Sequence, residues 1–163
     1  MKRIILLLLA LMCCGVCVNG QARPADPAVA KTQKAETGRR RAVTLPGSQP
    51  NGLFSPAIIA GDLVFTSGQI GVDSKGQLVE GGIEAQTEQV FRNLSAVLEA
   101  AGSSTEHILK ATVFLADMAD YNAMNELYRK HFKGDPPART TVGVAALPRN
   151  ARIEIEAVAI RKD

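Results

Sequence analysis

The strongest constraint on the fold of this chain is a run of strict alternation near its C-terminus, Arg152-Ile153-Glu154-Ile155-Glu156-Ala157-Val158-Ala159-Ile160. Side chains on a strand alternate between faces, so Ile153, Ile155, Ala157 and Ala159 form one apolar face and Glu154 and Glu156 lie opposite. A strand of this kind needs a sheet with one covered side. A second strand-like stretch lies just upstream, where Pro136-Pro137 ends the preceding element and Ala138-Arg139-Thr140-Thr141-Val142-Gly143-Val144 follows. Here Ala138, Thr140, Val142 and Val144 share one face, and Arg139, Thr141 and Gly143 the other. If helices cover the apolar faces of both strands, Arg139 and the two glutamates emerge together on the uncovered side. A guanidinium near a carboxylate, over a glycine that permits close approach, suits a small carboxylate substrate and an acid/base group. The plainer alternative is a set of charges solvating an exposed sheet face.

The N-terminus has the layout of a secretory signal peptide over residues 1–20. Lys2 and Arg3 precede an apolar run from Ile4 that is shorter than a bilayer span needs, and small residues follow near Asn19-Gly20. Cleavage after Gly20 or Ala22 would export the protein, periplasmic or secreted. Cys13, Cys14 and Cys17 all fall in the removed segment, so the mature chain would have neither a disulfide nor a thiol nucleophile. The residues before each cysteine do not form the small-residue box of a lipoprotein. Losing Lys2 and Arg3, the only charges of the segment, takes the formal charge from +3 to +1. A near-neutral chain without Trp argues against nucleic acid as a partner.

Residues 21–52 hold Pro, Ala, Gly, Thr, Lys and Arg with few large apolar side chains, which reads as a flexible linker. Its only dense charge cluster is Arg39-Arg40-Arg41. The folded domain is read as residues 53–163. Ser55–Ala60 and Leu63–Gln69, joined by Gly61-Asp62, form a predicted hairpin. Ile83, Val90, Phe91, Leu94, Val97, Leu98 and Ala101 recur at helical spacing before Gly102. A strand is expected over 108–115, then a helix over 118–132 capped by Asp117 or Asp120, with Tyr121, Met124, Tyr128 and Phe132 as its stripe. The order β-β-α-β-α-β-β implies an α+β fold, a mixed sheet with two helices on one face. Its uncovered face would pack against copies of itself. His107 and His131 lack ligand-like spacing, so no metal or other cofactor is implied. Asn93-Leu94-Ser95 matches a glycosylation acceptor but falls in mid-helix.

Five blocks together resemble the RidA (YjgF/UK114) family of reactive-intermediate deaminases: Phe65–Ile70, Gln86–Leu94, Thr112–Met118, Pro137–Val142 and Ile153–Ala157. The resemblance runs from about Ser55 to Ile160. It implies a chorismate-mutase-like homotrimer with sites in clefts between subunits, and hydrolysis of 2-imino acids to 2-keto acids and ammonia. It further implies that Arg139 clamps the substrate carboxylate and Glu154 positions water. Backbone near Gly68 and Thr141 would contact the substrate, with Asn125 and Phe54 lining the cleft. An adjacent guanidinium would keep Glu154 ionised. Thr141 stands where many relatives have cysteine, and Phe54 where many have tyrosine. The export signal motivates a different function, a non-catalytic small-molecule-binding or chaperone-like trimer in the cell envelope.

Overall fold

A computed structural model describes residues 40–47 and 52–162. The signal-peptide reading of residues 1–20, and the linker reading over 21–39 and 48–51, fall outside those residues. One sheet organises the chain: β1 (Arg40–Val43), β2 (Ala57–Ala60), β3 (Leu63–Thr66), β4 (Gln69–Ile70), β5 (Ile108–Leu115), β6 (Ala138–Gly143) and β7 (Ile153–Ile160). Two helices, α1 (Gly82–Ala100) and α2 (Tyr121–Lys130), complete the α+β fold. The strands run in the order β1-β2-β3-β7-β5-β6, with β4 also pairing β7. Only β5 and β6 are parallel, as their connection through α2 requires.

β7 lies at the middle of this arrangement, with β3 and β4 on one flank and β5 on the other. Its alternation does what the sequence implies. Ile153, Ile155, Ala157 and Ala159 are buried with Val90, Leu94, Val97 and Leu98 of α1 in one core. All seven residues of the expected α1 stripe are buried. Gly102, at φ 79°, turns the chain after α1, and the amide of Ser103 donates to the Leu98 carbonyl. Among the described residues no helix covers the other face of the sheet, and Phe65, Val142 and Ile160 are exposed on it.

The structure differs from the sequence reading at two places in the first half. Arg40–Val43, assigned to the linker by composition, is a strand paired in register with β2, Val43 opposite Ala57. Val43 is the only buried side chain of the four, so the strand rests on backbone pairing and one apolar anchor. The second hairpin strand also breaks. Phe65 pairs with Val158 and Gln69 with Ile155, which leaves one residue more between them on this strand than on β7. The result is a bulge around Ser67-Gly68, where the Ala157 amide donates to the Thr66 hydroxyl instead of to a carbonyl.

Because Ile155 is fully buried at the centre of β7, Ile155→Ala is expected to destabilise the fold by about 2–5 kcal/mol. Urea unfolding at fixed protein concentration reads this out, and an unchanged midpoint would contradict the central place given to β7.

Candidate active site

The two residues singled out from sequence occupy different sides of the sheet. Arg139 pairs with Ala111, and Ala111 with Ala157, so Arg139 lies on the helix-covered face. Glu154 pairs with Phe114 and Ile70, an odd number of positions away, and lies on the open face. Gly143 gives independent support: a Cβ there would sit 2.9 Å from Cγ of Met118, just before α2, so Arg139, Thr141 and Gly143 all face the helices. The expectation that one protomer presents Arg139 and Glu154 on the same side is therefore corrected. β6 is an edge strand with little core contact, and apolarity does not identify its inner face.

On the helix side, the chain stops α2 at Gly134 and the two prolines and sends β6 back beneath it. Asp117 caps the turn before α2, its carboxylate accepting from the Ala119 amide. Asp120 accepts from Nε and Nη2 of Arg152, both at 2.8 Å, a two-pronged ion pair that fixes the start of α2 against the start of β7. α2 then presents Asn125, Tyr128 and Phe132 along one stripe. The Arg139 guanidinium stacks over the Tyr128 ring, 4.5 Å from its centroid, and stands 5.9 Å from that of Tyr121. Among the described residues no carboxylate pairs with it. Asn125 Oδ1, Tyr128 Oη and Thr141 Oγ1 are buried and have no hydrogen-bond partner among those residues. Burial pushes the Tyr128 hydroxyl up to about 12, with Arg139 pulling the other way, so it remains a neutral donor at physiological pH. A cavity of about 470 Å³ opens in front of this group.

On the open side, the bulge brings Gly68 under Glu154. A Cβ on Gly68 would lie 1.8 Å from Glu154 Oε1, so a side chain here would force the Glu154 carboxylate to move. The Ser67 hydroxyl donates to the Ser55 carbonyl at 2.7 Å and holds the bulge. Phe54, Ile70 and Pro148 supply apolar walls to a cavity of about 450 Å³ that contains Glu154. Arg149 and Asn150, at φ 59° and 58°, carry the chain past it in the left-handed region. Burial, and then the charge of Glu156, raise the Glu154 carboxyl above the usual glutamate value. This reverses the expectation that a neighbouring guanidinium keeps it ionised.

Of the six residues singled out, the structure groups Arg139, Asn125 and Thr141 on the helix side, and Glu154, Gly68 and Phe54 on the open side. Tyr128 is legible in the sequence only as a core position. Its signal is its place three residues after Asn125, on the same stripe.

The sheet, its one-sided helices and an arginine that lines a cavity with no acidic partner among the described residues define an α+β domain. More particularly, the chain belongs to the family described as Endoribonuclease L-PSP, whose model matches residues 46–161, and its relatives place it in the RidA (YjgF/UK114) family. It is 47% identical over 111 residues to the human 2-iminobutanoate/2-iminopropanoate deaminase, covering 68% of this chain and 81% of that protein. A RutC family protein of Pyrococcus horikoshii is 47% identical over 115 residues, 70% of this chain and 91% of its own. Among solved structures, RidA from the Antarctic bacterium Psychrobacter superposes with a TM-score of 0.69 at 37% identity, covering 74% of this chain and 98% of that one. The Escherichia coli YjgF product gives 0.68 at 35%, covering 75% and 99%.

Gly68→Ala drives a methyl group into the Glu154 carboxylate, whereas a Cβ at Gly134 would meet nothing within 4 Å. The first variant is expected to melt well below wild type and Gly134→Ala to melt within a degree or two of it, about what a strain-free glycine replacement does. Equal melting temperatures would show that the Glu154 side chain swings clear of the added methyl group at no cost.

Proposed function

We propose that this protein hydrolyses 2-imino acids to 2-keto acids and ammonia, as an oligomer of identical chains whose sites close between copies. The observation that carries the reading is the Arg139 guanidinium, seated on Tyr128 in an open cavity with no acidic partner among the described residues. A cation so placed is a receptor for a carboxylate, and a guanidinium takes one in a two-pronged grip. The name of the human relative, a 2-iminobutanoate/2-iminopropanoate deaminase, supports that substrate class.

A single protomer holds Arg139 and Glu154 on opposite faces, so one small substrate reaches both only if Glu154 comes from another copy. Exposed Phe65, Val142 and Ile160 on the helix-free face supply apolar surface for such packing. The homotrimer implied by the family resemblance meets this requirement, with three equivalent clefts.

The chemistry follows from the two environments. Arg139 fixes the substrate carboxylate and so the position of the adjacent imine carbon. A water held by Glu154 attacks that carbon: the new C–O bond forms as the C=N π electrons move to nitrogen, and the water proton passes to the carboxylate. Returning that proton to nitrogen makes it a leaving group. The C–N bond breaks, the hydroxyl passes its own proton to the carboxylate as the C=O bond forms, and the released ammonia carries that proton away as ammonium. A carboxyl raised by burial is better matched to both transfers near neutral pH than an ordinary glutamate. Positioning carries much of the rate, because a protonated imine is already electrophilic. Export, read from residues 1–20, forms part of the proposal and would set the enzyme to work on imines arising outside the cytoplasm.

Arg139→Ala is expected to lower kcat/KM for freshly generated 2-iminopropanoate by roughly 10- to 150-fold, the loss of a charged hydrogen-bonded contact. An unchanged value would end the assignment.

The raised Glu154 carboxyl also has a consequence for stability. Folding favours its protonated form, so the contribution is present at pH below the ordinary glutamate value and is lost as pH rises through the raised one. Glu154→Gln is therefore expected to melt above wild type near pH 7 and to lose that advantage at about pH 4, while hydrolysis falls. A variant that melts lower at neutral pH would contradict the burial penalty.

A further inference from the structure

The cavity in front of Arg139 holds a second guanidinium that imine hydrolysis does not use. Asn125 and Arg129 stand one turn apart on α2, with Tyr128 between them, and Phe132 follows just past the end of the helix. Arg129 thus lines the same cavity as Arg139, and among the described residues no aspartate or glutamate lines it. Arg129 has one ion pair among the described residues, to Glu126 one turn back on α2. That contact is 3.3 Å long, and the two side chains are 74% and 67% exposed. Such a pair is weak and screened by water, so an incoming carboxylate can displace it. Two like charges opening into one chamber without an acid between them favour an occupant that carries two negative groups.

We propose that the site prefers 2-imino acids with a second carboxylate in the side chain, the class formed by oxidising aspartate or glutamate. This inference rests on the hydrolase reading of the same site. Arg139 takes the carboxylate next to the imine, and Arg129 takes the one at the far end of the side chain. Phe132, Pro136 and Pro137 wall the chamber with apolar surface along which the intervening methylenes lie. The reaction balances as before: water adds to the imine carbon, ammonia leaves, and the product is a dicarboxylic 2-keto acid. A guanidinium suits the distal role because its planar fork meets a carboxylate at two points.

Binding and turnover separate the two layers of this reading. Full-length wild type and Arg129→Gln are titrated with 2-oxoglutarate and with 2-oxobutanoate, stable analogues of the two product types. The imines of glutamate and of 2-aminobutanoate, generated by an amino-acid oxidase, are then compared as substrates. Wild type is expected to bind the dicarboxylate at least about tenfold more tightly, to show the same preference in kcat/KM, and to lose most of both preferences in Arg129→Gln. Equal affinity for the two keto acids, no binding of either, or a preference that survives Arg129→Gln overturns the inference. Turnover of the monocarboxylic imine without the preference leaves the hydrolase reading standing alone. An Arg129-dependent preference in binding, with neither imine turned over, removes the hydrolase reading and keeps the dicarboxylate site.

Discussion

Everything in this structure depends on β7 being hydrogen-bonded along both edges. A strand held in register by β3 and β4 on one flank and β5 on the other cannot slip by one residue without turning Ile153 and Ile155 out of the core. The same constraint that buries the isoleucines sends Glu154 to the opposite face. The place of the Glu154 carboxylate is therefore a by-product of core packing: it is carried on a strand hydrogen-bonded along both edges. The bulge at Ser67-Gly68 then removes the one side chain that would collide with it.

The two half-sites receive opposite electrostatic treatment. Arg139 rests on an aromatic face with no acid opposite it, so its charge is directed outward into the cavity. Glu154 is partly desolvated and lies near a second glutamate, which makes its charged form costly. Within one chain these two tendencies do not meet, because the sheet lies between them. Brought together from separate chains, the cation would find an anionic substrate and the carboxyl would find a proton to take. The Asp120–Arg152 pair links the start of α2 to the start of β7, so the helix beneath Arg139 and the strand bearing Glu154 share one clamp.

Much of this architecture is legible in the residues. The α1 stripe, β5 and the β7 alternation carry periodic patterns that burial enforces, and they appear where periodicity puts them. Two things are not legible. β1 holds a single buried residue, Val43, among arginines, and its existence rests on main-chain pairing that no side-chain pattern records. The inner face of β6 is hidden because its more apolar set, Ala138, Thr140 and Val142, looks away from the helices, while the arginine and threonine look toward them. On an edge strand with little burial, hydrophobicity does not decide which face turns inward. Arg139 and Asn125 line one cavity, and Glu154, Gly68 and Phe54 another; their distribution between two compartments emerges only from the register.

The central claim, that Arg139 of one copy works with Glu154 of another, is tested most directly by complementation. Arg139→Ala and Glu154→Gln chains, each impaired alone, are dissociated, mixed and reassembled, and 2-iminopropanoate hydrolysis is measured against each variant reassembled by itself. Sites shared between copies regain activity in the mixture, because some clefts combine an intact Arg139 with an intact Glu154. A mixture no more active than its components would show that no cleft joins the two residues from different chains.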